Sequence, residues 1–257
     1  MNRIREAFSA GKAFIPFITG GDPDLETTEK LLYALYEAGA DIIEIGVPFS
    51  DPIAEGPVIE AASERALRAG FTVEKLFELV SRVRADIKAP LLFMTYFNPV
   101  FAQGVSKFTG RCADCGIDGL IVPDMPYEER DELLEPCAAR GLELISLIAP
   151  TTQTRISDIA GNSDGFLYCV SSLGVTGVRS RLDDSAERMV AQVRQVADIP
   201  CAVGFGVSTP EQARRITGFA DGVIIGSAIV RIAAEHGRNC IEPISRFAKD
   251  VKQAISG

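Results

Sequence analysis

Residues 31–52 read Leu31-Leu-Tyr-Ala-Leu-Tyr-Glu-Ala-Gly39-Ala-Asp-Ile-Ile-Glu44-Ile-Gly-Val-Pro48-Phe-Ser-Asp-Pro52. Leu31, Leu32, Leu35 and Ala38 fall on one face of a helix that spans about 24–38, and Gly39 stops it. An almost unbroken apolar run follows at 41–47, the pattern of a parallel strand covered on both faces. Pro48 and Pro52 then bracket a shaped turn. Helix, strand and turn in immediate succession make one unit of a βα repeat.

The same unit recurs on both sides. Apolar runs predict strands at 13–19, 41–47, 90–96, 117–122, 142–148, 164–170, 200–204 and 221–225. Between them, Val73, Leu76, Phe77, Val80 and Val83 after Thr72 share one helical face. Ser208-Thr-Pro-Glu211 has capping-box spacing with proline early in a helix. Further helices are expected at 2–10 and 241–255. Eight such units in 257 residues predict one (β/α)8 barrel, a TIM barrel spanning 1–257. An open doubly wound sheet fits less well, because Gly204-Phe-Gly206-Val-Ser-Thr209 lacks the third glycine of a dinucleotide fingerprint. In a barrel the functional residues belong at the C-terminal strand ends.

Composition removes several alternatives. Hydrophobic residues make up 47% and charged residues 24%, so the chain is neither disordered nor fibrous. No apolar run approaches the ~18 residues of a membrane span. Formal net charge is −9 with no basic stripe, which argues against nucleic acid. His236 is the one histidine, so no metal site can be built from several, and a Ser-His-Asp triad would have to recruit it. The start, Met-Asn-Arg-Ile-Arg-Glu, lacks the apolar core of a secretion signal. A cytoplasmic, reducing location is therefore expected, with Cys112, Cys115, Cys137, Cys169, Cys201 and Cys240 as thiols. Cys112-Ala-Asp-Cys115 has redox or zinc spacing, but no second pair follows and it reads as a helix end; no metal is expected.

At the strand ends, Glu44 shares a face with Ile42 and Gly46. If that face is the interior, burial raises its pKa and suits it to acid–base work; a strand-edge charge or an ion pair is the alternative. Glu55, in Phe49-Ser-Asp-Pro-Ile-Ala-Glu55-Gly-Pro57, is a second free carboxylate that could face it. Two carboxylates in unlike environments can divide acid and base roles; otherwise Asp51 or Glu55 caps the next helix. Glycine-rich turns follow the last three strands: Ser171–Gly177, Gly204-Phe-Gly206 and Gly226-Ser227. The last two lie where barrels bind phosphate through backbone N–H groups. Neither contains Lys or Arg, so amides and hydroxyls would hold the anion. Phe17, Thr19, Tyr96 and Tyr168 reach the same rim and suit a flat aromatic ligand.

These motifs together resemble the tryptophan synthase alpha chain family. The matching stretches are Pro16–Pro23, Ala38–Pro52, Gly174-Val-Thr-Gly177, Gly204-Phe-Gly-Val-Ser208 and Gly226-Ser-Ala-Ile-Val230, in the family's order over essentially the whole chain. The resemblance implies a cofactor-free lyase that cleaves indole-3-glycerol phosphate to indole and glyceraldehyde 3-phosphate. It gives Glu44 the proton relay and Glu55 the charge beside the indole nitrogen. Many members carry Asp where this chain has Glu55, and some carry Arg where it has Ser172. By the same resemblance Tyr96, Tyr168 and Phe205 wall the indole, with Phe17 and Thr176 also at the substrate. Gly177, Gly204, Gly206, Gly226 and Ser227 hold the phosphate. Thr19 and Asp124 are expected to hydrogen-bond each other and shape the pocket. An α2β2 assembly with a beta chain is implied, facing Asp51-Pro-Ile53 and the 98–104 loop. A different phosphate-binding barrel enzyme, or a barrel that only activates its partner, are the competing readings.

Overall fold

The structure, a computed structural model, describes residues 3–170, 185–204 and 206–256. Eight parallel strands close on themselves: β1 (Ala13–Thr19), β2 (Ile43–Gly46), β3 (Leu91–Met94), β4 (Gly119–Ile121), β5 (Glu143–Ile148), β6 (Leu167–Val170), β7 (Cys201–Gly204) and β8 (Gly222–Ile225). All eight lie within the expected runs, and β8 pairs with β1 to shut the barrel. Several are shorter than their apolar runs because the flanks have other work. The Asp41 carboxylate accepts the Phe14 N–H at 2.7 Å and pairs with Lys252 Nζ at 2.5 Å. The chain therefore enters β2 only at Ile43.

Twelve α-helices are described: α1 (Arg3–Ala7), α2 (Leu25–Glu37), α3 (Pro57–Arg68), α4 (Val73–Val83), α5 (Phe97–Gln103), α6 (Val105–Cys115), α7 (Asp131–Ala138), α8 (Ile156–Gly161), α9 (Ser185–Arg194), α10 (Pro210–Thr217), α11 (Ser227–His236) and α12 (Ile241–Ile255). Local chemistry sets their ends. The Asp24 carboxylate accepts the Thr27 N–H and opens α2; Thr72 does the same for α4. Gly39 follows α2 in a left-handed conformation that costs other residues strain. The cap of α10 differs from expectation. Thr209, not Ser208, accepts the Gln212 N–H, and the Gln212 side chain accepts from the Ser208 N–H. The box thus runs one residue later and uses Gln instead of Glu211. The first helix is also shorter than 2–10. Its Ile4, 1% exposed, joins the interior cluster, and Phe8 packs on Phe166 with ring centroids 5.4 Å apart.

Period-two alternation separates the inner set of side chains from the outer. Ile43, Ile45, Leu91 and Phe93 face out, under the helices. Ile15, Phe17, Ile42, Leu92, Met94, Tyr168 and Ile224 face in. Glu44 lies between Ile43 and Ile45 and so points inward. Following the register from Phe17 through Glu44, Leu92 and Gly119 ends at Glu143, the first residue of β5. That spiral is the stagger of a tilted, closed barrel. Glu143 therefore sits towards the N-terminal end, away from the functional face. Among the described residues no helix is long and apolar enough to cross a membrane.

Candidate active site

A cleft of about 960 Å³, counting its open mouth, sits at the C-terminal ends of the strands. Glu44 lies at its floor. The residue is fully buried, and neither carboxyl oxygen has a hydrogen-bond partner among the described residues. Burial, then the nearby charge of Glu55, pushes its pKa up to about 8. An unpaired carboxyl in such surroundings holds its proton at neutral pH.

Glu55 lines the same cleft from the loop between β2 and α3. Its Oε2 is buried and unpartnered, and burial followed by the charge of Glu60 raises its pKa to about 7. The order of the two values has a physical consequence. Glu55 ionises first, while Glu44 is still neutral; Glu44 then loses its proton against an existing negative charge. Neither loop acid caps α3. The helix begins after Gly56 without a side-chain cap, and Asp51 instead accepts from the Ser50 hydroxyl.

Apolar side chains fill the space between the acids and the rim: Phe17, Ile59, Met94, Leu147, Tyr168 and Ile224. Close approach explains two glycines here. A Cβ on Gly46 would stand 2.5 Å from the Phe17 ring, and one on Gly204 2.9 Å from the Tyr168 ring. Gly206, Ser208, Gly226 and Ser227 line the same cleft just beyond the ends of β7 and β8, with Gly226 against the Phe17 ring. Gly206 takes φ +80°, and Ser227 opens α11, so free N–H groups at a helix start meet a hydroxyl.

Sequence reasoning anticipated Phe17, Glu44, Glu55, Tyr168, Gly206, Gly226 and Ser227, and all seven line this one cleft. Phe205, Thr176 and Gly177, with the rest of the 171–184 segment, lie outside the described residues. Thr19, Tyr96, Asp124 and Gly204 lie outside the lining. Thr19 and Asp124 do not hydrogen-bond each other. Thr19 Oγ1 is buried without a partner, while the Asp124 carboxylate accepts the Phe97 N–H at 3.0 and 3.1 Å and serves as the missing cap of α5. A free N–H at that helix start is the stronger donor for a carboxylate. Tyr96 acts from behind the loop: its hydroxyl accepts the Ala54 N–H at 2.9 Å, next to Glu55. Gly204 leaves room for Tyr168.

The cleft also holds residues that the sequence reading passed over. Met94, Leu147 and Ile224 are inward strand positions, readable by counting two from Leu92, Ile145 and Gly226. Arg231 lies four residues after Ser227 on α11, a spacing that brings it to the same face. His236 ends α11, exposed and away from the cleft. Cys112 and Cys115 are buried on α6, where burial raises their thiols and keeps them protonated.

Comparison with known proteins now adds to this geometry. The sequence profile of one family, described as Tryptophan synthase alpha chain, matches residues 5–256. Tryptophan synthase alpha chain from Lacticaseibacillus casei is 45% identical over 255 residues, covering 99% of this chain and 96% of that one. The Synechocystis protein of the same name is 48% identical over 264 residues, with full coverage of both. Among solved structures, the tryptophan synthase α2β2 complex from Pyrococcus furiosus contains a chain that is 36% identical, with a TM-score of 0.89 and coverage of 95% and 99%. With the profile spanning nearly its whole length and full-length relatives at this identity, the chain belongs to the tryptophan synthase alpha chain family.

Proposed function

We propose that this chain cleaves indole-3-glycerol phosphate to indole and glyceraldehyde 3-phosphate, as the alpha subunit of a tryptophan synthase in tryptophan biosynthesis. One observation carries the reading: a fully buried, unpaired Glu44 shares an apolar cleft with a second raised carboxyl, Glu55, and with an amide-and-hydroxyl cradle at Gly206, Gly226 and Ser227.

The reaction is a retro-aldol cleavage. It needs a proton on indole C3 before the bond to the side chain can break, and it needs the proton of the adjacent hydroxyl removed as that bond breaks. The two positions are two covalent bonds apart, so one carboxyl can reach both. Glu44, protonated below about 8, donates its proton to C3. Positive charge then develops on the indole nitrogen. Glu55, ionised above about 7, stabilises it electrostatically in a site shielded from water. The Glu44 carboxylate next takes the hydroxyl proton. The carbon–carbon electron pair returns to the indole ring, the hydroxyl carbon becomes an aldehyde, and Glu44 ends protonated as it began. These two carboxyls alone balance the step.

Phe17 and Tyr168 are the described aromatics that would stack on the indole, joined by Phe205. Gly206, Gly226 and Ser227 would bind the phosphate at the start of α11; by the family resemblance Gly177 joins them and Thr176 contacts the substrate. The fit of a flat ring between apolar walls supports the first assignment, and the helix start supports the second. A beta-chain partner and a cytoplasmic location belong to the same reading. Ile53 and Phe101, 79% and 67% exposed, give a partner an apolar foothold. Six buried free thiols suit a reducing compartment.

The test is indole release from indole-3-glycerol phosphate by the purified chain. Glu44→Gln should fold normally and lose about 10²-fold or more of the rate. Substantial remaining activity would remove Glu44 from the mechanism. Release of a different product from the same substrate would favour another phosphate-binding barrel enzyme.

A further inference from the structure

The cleft presents an electrostatic problem. Its substrate would carry a phosphate of about −1.5 to −2 at neutral pH. Glu55, raised to about 7 and so partly ionised at neutral pH, lines the same cleft, and the chain as a whole has a formal net charge of −9. Uncharged amides and a hydroxyl supply partial positive charge only. Among the described residues, Arg231 is the one cationic side chain lining the cleft.

Its placement fits the need. Arg231 stands one helical turn after Ser227, on the face of α11 that meets the cleft. Side chains on a helix lean towards its N-terminus, and the N-terminus of α11 is the cradle. Arg231 is exposed, with no hydrogen bond or ion pair among the described residues, although Glu235 lies one turn further along. No other group among the described residues therefore engages its guanidinium, whose planar fork matches phosphate oxygens.

We propose that Arg231 is the ionic arm of the phosphate site. It reaches the phosphate from the same helix that offers the α11 amides and makes this chain select a phosphorylated side chain by charge as well as by hydrogen bonding. The ligand's identity rests on the lyase reading above; the anion site does not.

Arg231→Met and Arg231→Lys test it, with glycerol 3-phosphate as the probe, titrated calorimetrically over a range of salt. The Met variant should bind about ten- to a hundredfold more weakly, the cost of losing a charge-assisted contact. The Lys variant should fall between, because it keeps the charge and loses the fork. The salt dependence of binding should flatten in the Met variant. In turnover, KM for indole-3-glycerol phosphate should rise by the same factor, with kcat within about threefold. Wild-type affinity and salt dependence in the Met variant would overturn the proposal. If the wild type binds glycerol 3-phosphate, the Met variant loses it and neither releases indole, the ionic arm stands and the lyase reading falls. If indole release is normal and Arg231→Met changes nothing, the reverse holds.

Discussion

At position 44 a carboxyl that finds no hydrogen-bond partner has an ordinary pKa near 4.5 and a folded value near 8. The catalytic form needs Glu44 protonated and Glu55 ionised, so kcat/KM should follow a bell. It should rise through about 7, as Glu55 ionises, and fall through about 8, as Glu44 does. A flat profile from 6 to 9 would contradict the assignment. Stability should record the same burial. A carboxyl with a raised folded pKa binds its proton more tightly folded than unfolded, so stability falls as pH climbs from about 4.5 to 8. Glu44→Gln removes the titration. It should match the wild type near pH 4.5 and exceed it at pH 9 by roughly 2–4 kcal/mol, read from denaturant midpoints across pH. Glu44 was legible in the sequence because one charge interrupts an apolar strand, and Glu55 because it ends a proline-bracketed loop. Arg231 was hidden because attention to glycine turns stops at the turn, while the arginine acts from a full helical turn beyond it. The expected Thr19–Asp124 hydrogen bond failed for a related reason. Two strand-end residues can be placed on one rim from sequence, but which N–H a carboxylate finds depends on the helix that starts beside it.

The loop from β2 to α3 carries Glu55, and its element neighbours hold it from two sides. Asp22, 3% exposed, takes a two-pronged pair from Arg65 of α3, with both contacts at 2.8 Å. Tyr96, at the end of β3, accepts the Ala54 N–H and stacks near Phe49 with centroids 5.5 Å apart. Burial, outweighing the lowering pull of the Ala54 and Ile53 backbone groups, raises the Tyr96 hydroxyl to about 12, so it stays neutral and can accept at any working pH. Tyr96→Phe should leave the barrel folded, cost about 0.5–1.5 kcal/mol of loop order, and lower kcat/KM about three- to tenfold. Glycerol 3-phosphate affinity should stay the same, because Tyr96 lies outside the cleft lining that includes the cradle. An equal loss of both would make Tyr96 a ligand contact, as the sequence first suggested. At this scale the eight strands were readable because buried parallel strands are plain apolar runs. Their ends were not, since hydrogen-bonding residues such as Asp41 set the boundaries.

For the whole molecule, the rim that holds the cleft also carries the most exposed large apolar side chains among the described residues, Ile53 and Phe101. Ile53 lies two residues before Glu55, and Phe101 follows Tyr96 on α5, where its ring sits 6.0 Å from that of Phe97. Both thus stand on the segments that position Glu55. A partner covering them would bury apolar area and stiffen the catalytic loop in one event, which links binding to rate. Phe101→Ser separates the two effects, because the residue neither lines the cleft nor takes part in the hydrogen bond between Tyr96 and Ala54. Alone, the variant should release indole at the wild-type rate. With a beta chain added, it should need about tenfold more partner to reach half of its full activation, the usual loss for an interface aromatic. If the activation curve is unmoved, the partner docks elsewhere on the rim. If the isolated variant slows instead, Phe101 serves the loop from within, and coupling between partner and catalysis would have to run through Ile53 alone.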